Sequence, residues 1–166
     1  VNDRRYEDAI SILDRILELE VWVENDWDEM SIDIEKLQEE QIVKVDLKQL
    51  ALTVLYVVYQ VRDRKERAVD MYAYFKYYFF HNIHMEEIRR IGREELEDEN
   101  AFWEDWIELL SSKTGDLEAR LLKEAILYAK GTDGLADMAK KNYLNHPSLY
   151  LEALKEYEMN HEYEKM

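Results

Sequence analysis

The chain has 166 residues and a net charge of −16, with 22 Lys and Arg against 38 Asp and Glu. That balance opposes docking on a phosphate backbone or on anionic lipid, both of which need clustered cations. No cysteine is present, which excludes disulfides, thiolate zinc sites and Cys nucleophiles; four glycines and one proline supply little material for the turns of a sheet protein.

The first predicted helix covers about residues 3–23, where Tyr6, Ala9, Ile10, Leu13, Ile16, Leu17 and Val21 recur at spacings of three and four. The polar, acidic stretch 24–41 reads as a link that can hold a short helix. Asp46 caps the next helix, with Gln49 three residues on. That helix, about 47–62, is apolar on nearly every side and should be enclosed by neighbours. After the polar turn RDRKER, a helix is expected over about 65–82, through the aromatic run MYAYFKYYFFHNIH, and another over 85–96. Asp98 or Asn100 opens the fifth helix, which carries Phe102, Trp103, Trp106, Leu109 and Leu110 and ends at Gly115. Asp116 can cap the sixth. Gly131 stands as its C-terminal cap, with Thr132 or Asp133 beginning the seventh. Pro147 suits the first turn of an eighth, and HEYEKM opens a further one.

The chain begins at Val1 and ends at Met166 inside an unfinished helical pattern, so it is expected to be one helical domain, 1–166, excised from a longer protein. Its longest apolar run, Leu50 to Tyr59 broken only by Thr53, is about half the ~20 residues a membrane span needs. No signal peptide is visible, and a cytoplasmic location is the expectation.

Similar local patterns recur at 6–13 (YEDAISIL), 65–72 (KERAVDMY), 117–125 (LEARLLKEA) and 163–166 (YEKM), at unequal intervals. The small residue they share lets one helix approach the next closely. The spacing Tyr6, Ala9, Leu13 resembles the second helix of a tetratricopeptide unit, although such arrays repeat every ~34 residues. Along the whole chain, YEDAISILDRILEL, the acidic segment, the apolar helix, WEDWIELL, GDLEARLLKEA and HPSLYLEALKEYE together resemble the helical region of prokaryotic SWIM-type zinc finger proteins. The finger's own Cys and His signature is absent. The resemblance therefore implies an accessory helical array, with any finger elsewhere in the full protein.

Several constellations carry candidate chemistry. His81 and His84, with Glu86 and Glu87 close by, form a His-x-x-His pair that can share a metal on a continuous helix; at a helix end the same imidazoles meet terminal carbonyls instead. Glu158 and His161 form one Glu-x-x-His pair, but a carboxylate di-iron site needs two, and the second is missing. Glu94 and Asp98, and Glu104 and Glu108, stand four apart and suit either acid–base work or a solvated face. Trp22, Trp27, Trp103 and Trp106 suit a core or a partner anchor. The phenols of Tyr74, Tyr77 and Tyr78 can reach a groove and bond a peptide backbone. There is no Gly-rich phosphate loop, nucleophile elbow or triad.

The expectation is thus an all-α array of antiparallel helix pairs, a tetratricopeptide-like solenoid of about eight helices. Its expected role is non-catalytic: a protein-interaction or scaffold module for a basic peptide or protein partner, without cofactor, nucleic acid or membrane, and able to self-associate. The partner-binding candidates are Tyr74, Tyr77, Tyr78, Trp103 and Trp106. The alternative is a metal-binding or hydrolytic protein using His81, His84 and nearby carboxylates.

Overall fold

The computed structural model describes residues 3–24, 29–92 and 94–165. It is mostly helical. Helix α1 spans Asp3–Leu17, followed by a hairpin of β1 (Val21–Glu24) and β2 (Glu29–Ile32), then the short α2 (Ile34–Glu39). Helices α3 (Leu47–Val61) and α4 (Arg64–Ala73) follow, then three 3-10 turns at Tyr74–Lys76, Tyr78–Asn82 and Met85–Arg90. Helices α5 (Glu99–Ser111), α6 (Asp116–Lys141) and α7 (Leu149–Met159) complete the order, with a last 3-10 turn at Tyr163–Lys165.

Helix α3 is the centre. The Asp46 carboxylate accepts the Gln49 amide at 2.9 Å, satisfying one of the donors left free at a helix start. Every residue from Val54 to Tyr59 is buried, as an apolar surface on all sides requires. Helix α1 and the 3-10 turns at Tyr78–Asn82 and Met85–Arg90 pack on α3, while α4, α5, α6 and α7 pack on one another in sequence order. Trp106, with no exposed surface, joins the Tyr72, Phe75 and Phe102 rings at centroid separations of 5.9–6.2 Å.

Helix α6 has two arms. Gly131, at φ 68° and ψ −168°, interrupts its helical backbone at the position where the sequence places a C-terminal cap.

Three expectations are corrected. Helix α1 stops at Leu17 rather than near residue 23, because Val21–Glu24 pair with Glu29–Ile32 as an antiparallel hairpin. The β-branched Val21 and Val23 beside Trp22 suit a strand better than a helix end. The acidic link thus holds a strand as well as a short helix. Trp22 is exposed on that hairpin, and Trp27 lies outside the described residues.

Second, the helix expected over 65–82 ends at Ala73, with Tyr77 (φ −87°, ψ 129°) and Ile83 (φ −95°, ψ 158°) extended. In a continuous helix Phe75 and Phe80 would stand about 140° apart, at roughly 100° per residue. The broken path buries both, along with Phe79, Ile83, Met85 and Ile88. Third, the helix expected over 85–96 is a 3-10 turn ending at Arg90. Close after it, Gly92 abuts α3: a Cβ there would fall 1.9 Å from the buried Tyr56 ring.

This strap, residues 74–92, keeps only short 3-10 bonds such as Tyr77 N–H to the Tyr74 carbonyl at 3.1 Å, so part of its buried backbone needs other partners. Arg120 of α6 donates to the His81 carbonyl at 2.7 Å and the Ile83 carbonyl at 3.4 Å. Glu124 accepts the Met85 amide at 3.0 Å, and Glu35 of α2 accepts the Phe79 amide at 3.3 Å.

Candidate functional site: an acidic, tyrosine-walled groove

Asp14 and Glu18 stand four residues apart, one turn on the same side at the end of α1. The carbonyl end of a helix already carries partial negative charge, so carboxylates there deepen a negative field instead of offsetting it. Across from them, the end of α4 and the first 3-10 turn bring Asp70, Ala73, Tyr74, Lys76 and Tyr77. With Arg62 these residues enclose a cleft of about 290 Å³.

Within it, Tyr74 donates its hydroxyl to Asp14 Oδ1 at 2.7 Å. Burial, and then that carboxylate, push the Tyr74 phenol well above its usual range, so it stays a proton donor. Arg62 Nε meets Asp70 Oδ2 at 2.7 Å. The Lys76 ammonium lies 4.8 Å from the centre of the Tyr77 ring.

A second cleft, of about 250 Å³, adjoins the first and shares Glu18 and Tyr77 with it. Leu17, Leu19, Ile34 and Phe79 supply its apolar wall, and Glu20, Asp33 and Glu35 its remaining carboxylates. Asp33 also caps α2, accepting the Lys36 amide at 2.9 Å. Among the described residues, the two clefts together bring Asp14, Glu18, Glu20, Asp33, Glu35 and Asp70 against only Arg62 and Lys76.

Of the five partner-facing candidates, the structure brings Tyr74 and Tyr77 into this groove. Tyr78, 68% exposed, lies against His81 at a ring separation of 5.2 Å and lines neither cleft. Trp103 and Trp106 are corrected to core residues: they are 3% and 0% exposed, which leaves no ring face for a partner. Trp103 Nε1 donates to Glu99 at 3.2 Å within its own helix.

His81 and His84 serve separate neighbours. His81 Nε2 bonds the Phe75 carbonyl at 2.8 Å, whereas His84 Nδ1 lies 3.3 Å from Glu124. Among the described residues, no group of three or more His, Asp or Glu is placed to hold a metal ion. Glu94, Asp98, Glu104 and Glu108 lie at the surface, and Glu94 accepts the Tyr6 hydroxyl at 2.9 Å. Glu158 and His161 are exposed as well, and the His161 ring turns to the Tyr163 hydroxyl at 3.2 Å.

Sequence reasoning missed the carboxylate side of the groove. The four-residue spacing of Asp14 and Glu18 was a usable signal. Nothing local pairs them with Tyr74 or Tyr77, sixty residues away in the case of Asp14 and Tyr74.

Comparison with protein-family models, curated proteins and solved structures finds no match to this chain. No helix among the described residues is long and apolar enough to cross a membrane.

Proposed function

We propose that this protein is a non-catalytic interaction module that binds a basic peptide segment in the groove between α1, α2 and residues 74–79 of the strap. The observation that carries the reading is the lack of internal neutralisation. Asp14, Glu18, Glu20, Asp33 and Glu35 line adjoining clefts, and none forms an ion pair with another described residue. A cationic ligand would pair carboxylates that the chain leaves without a cation, and it is steered in by the overall charge of −16.

The run α4–α5–α6–α7, each packed on the next, supports the finer reading of a short tetratricopeptide-like solenoid behind the groove. A scaffold role beside a zinc finger rests on the SWIM-type resemblance of the sequence alone. The metal-binding reading is disfavoured by the separate engagements of His81 and His84.

Calorimetric titration of the full chain with a hexa-arginine peptide tests the proposal. Binding is expected at low ionic strength, with affinity at least about tenfold weaker at 0.5 M salt, where exposed charges are screened. The double variant Glu18→Lys, Glu20→Lys should lose it. Salt-insensitive binding, or none, overturns the proposal.

A further inference from the structure

The two clefts share two walls, Glu18 and Tyr77, but differ in what occupies them. In the first, the chain supplies its own cations. Arg62 pairs with Asp70, and the Lys76 ammonium sits on the Tyr77 ring. In the second, no basic residue stands among the described residues that line it. Its floor is Leu17, Ile34 and Phe79, all buried, with Leu19 exposed at the edge.

A wholly apolar ligand group would desolvate the carboxylates of that cleft without pairing them, which is costly. A compact cation would leave the exposed Leu19 edge of the cleft in water. Lysine and arginine side chains answer both demands, because an aliphatic stem carries the charge at its tip. The Tyr77 ring adds an aromatic wall of the kind that attracts cations, and the chain's own Lys76 ammonium lies 4.8 Å from its centre. A volume of about 250 Å³ has room for one long side chain and not for a folded element.

We infer that the second cleft is the pocket for a single lysine or arginine side chain of the partner, its stem on Leu17, Ile34 and Phe79 and its charge among Glu18, Glu20 and Glu35. The inference rests on the basic-peptide reading and assigns where the anchor residue of that peptide goes. The first cleft, already holding Arg62 and Lys76, would carry the flanking residues of the peptide.

The test uses three labelled hexapeptides of equal charge: hexalysine, hexaornithine and the hexamer of 2,4-diaminobutyrate. Each step shortens the stem by one methylene. Anisotropy titrations of the full chain should show affinity falling about fourfold per methylene removed, the effect of about 0.8 kcal/mol for each buried CH₂. The methyl resonances of Leu19 and Ile34 should shift with hexalysine. Glu20→Lys, which supplies an internal cation at the pocket, should weaken hexalysine at least about tenfold. Glu108→Lys, the same charge change at an exposed position of α5, should weaken it less than about threefold. Equal affinities for the three peptides, with unmoved methyl resonances, overturn the pocket while leaving basic-peptide binding standing. No binding by any of the three at low salt overturns the basic-peptide reading itself.

Discussion

Helices α5 to α7 and the strap at residues 74–92 bury comparable kinds of side chain by opposite means. In the helices the backbone bonds to itself, and the side chains need only form an apolar stripe. In the strap, large rings are buried on a path that no regular helix follows. Its backbone is held by Arg120, Glu124 and Glu35, drawn from α6 and α2. The regular region is therefore stabilised mainly by packing, and the irregular one by packing plus a small set of polar contacts. That irregularity also presents Tyr77 as a wall that, with Glu18, the two clefts share.

The largest expected effect attacks the packing common to both regions. Trp106→Ala removes the ring on which Tyr72, Phe75 and Phe102 converge, and should cost about 3–5 kcal/mol in urea unfolding. Gly92→Ala comes next. Its new methyl would overlap the buried Tyr56 ring, so the ring or the turn must move, at about 2–3 kcal/mol by the same measurement.

Arg120→Met separates the two regions. It keeps an apolar stem on α6 but leaves the His81 and Ile83 carbonyls without their donor. A loss of about 1.5 kcal/mol is expected. Amide exchange should speed up in the strap while α7 stays protected, and uniform loosening would contradict the distinction.

The smallest effects are pH-dependent and have opposite signs. Burial raises the Glu124 carboxyl above its ordinary value, so the folded chain binds that proton more tightly than the unfolded chain. Protonation of Glu124 therefore adds stability as pH falls through the raised value. Glu87 is lowered, chiefly by the Lys48 ammonium at 2.9 Å. Its contribution is fully present above the ordinary carboxylate range and disappears as pH falls through the lowered value. Between about pH 7 and 3, Glu124→Gln should make the fall of Tm steeper than in the wild type, and Glu87→Gln should make it shallower.

The regular elements were legible because their signals are local. Asp46 and Gln49 mark the start of α3, Gly131 interrupts α6 where the sequence places a cap, and the apolar character of residues 54–59 announces a buried helix. The strap was not legible. Its residues contain no glycine or proline before Gly92 to signal a break, and its backbone partners lie about forty residues away in α2 and α6. The site divides in the same way. Tyr74 and Tyr77 stood out as members of an aromatic run, but their exposure relative to Trp103 and Trp106 depends on how that run bends. Asp14 and Glu18 became part of a groove only through the packing of α1 against α3 and the strap.

Hydrogen exchange on the full chain, with and without saturating hexa-arginine peptide, tests the central claim most directly. Added protection is expected in the peptides covering residues 14–20, 33–37 and 76–80, with α5, α6 and α7 unchanged. Protection centred on α7, or none at saturation, would contradict it.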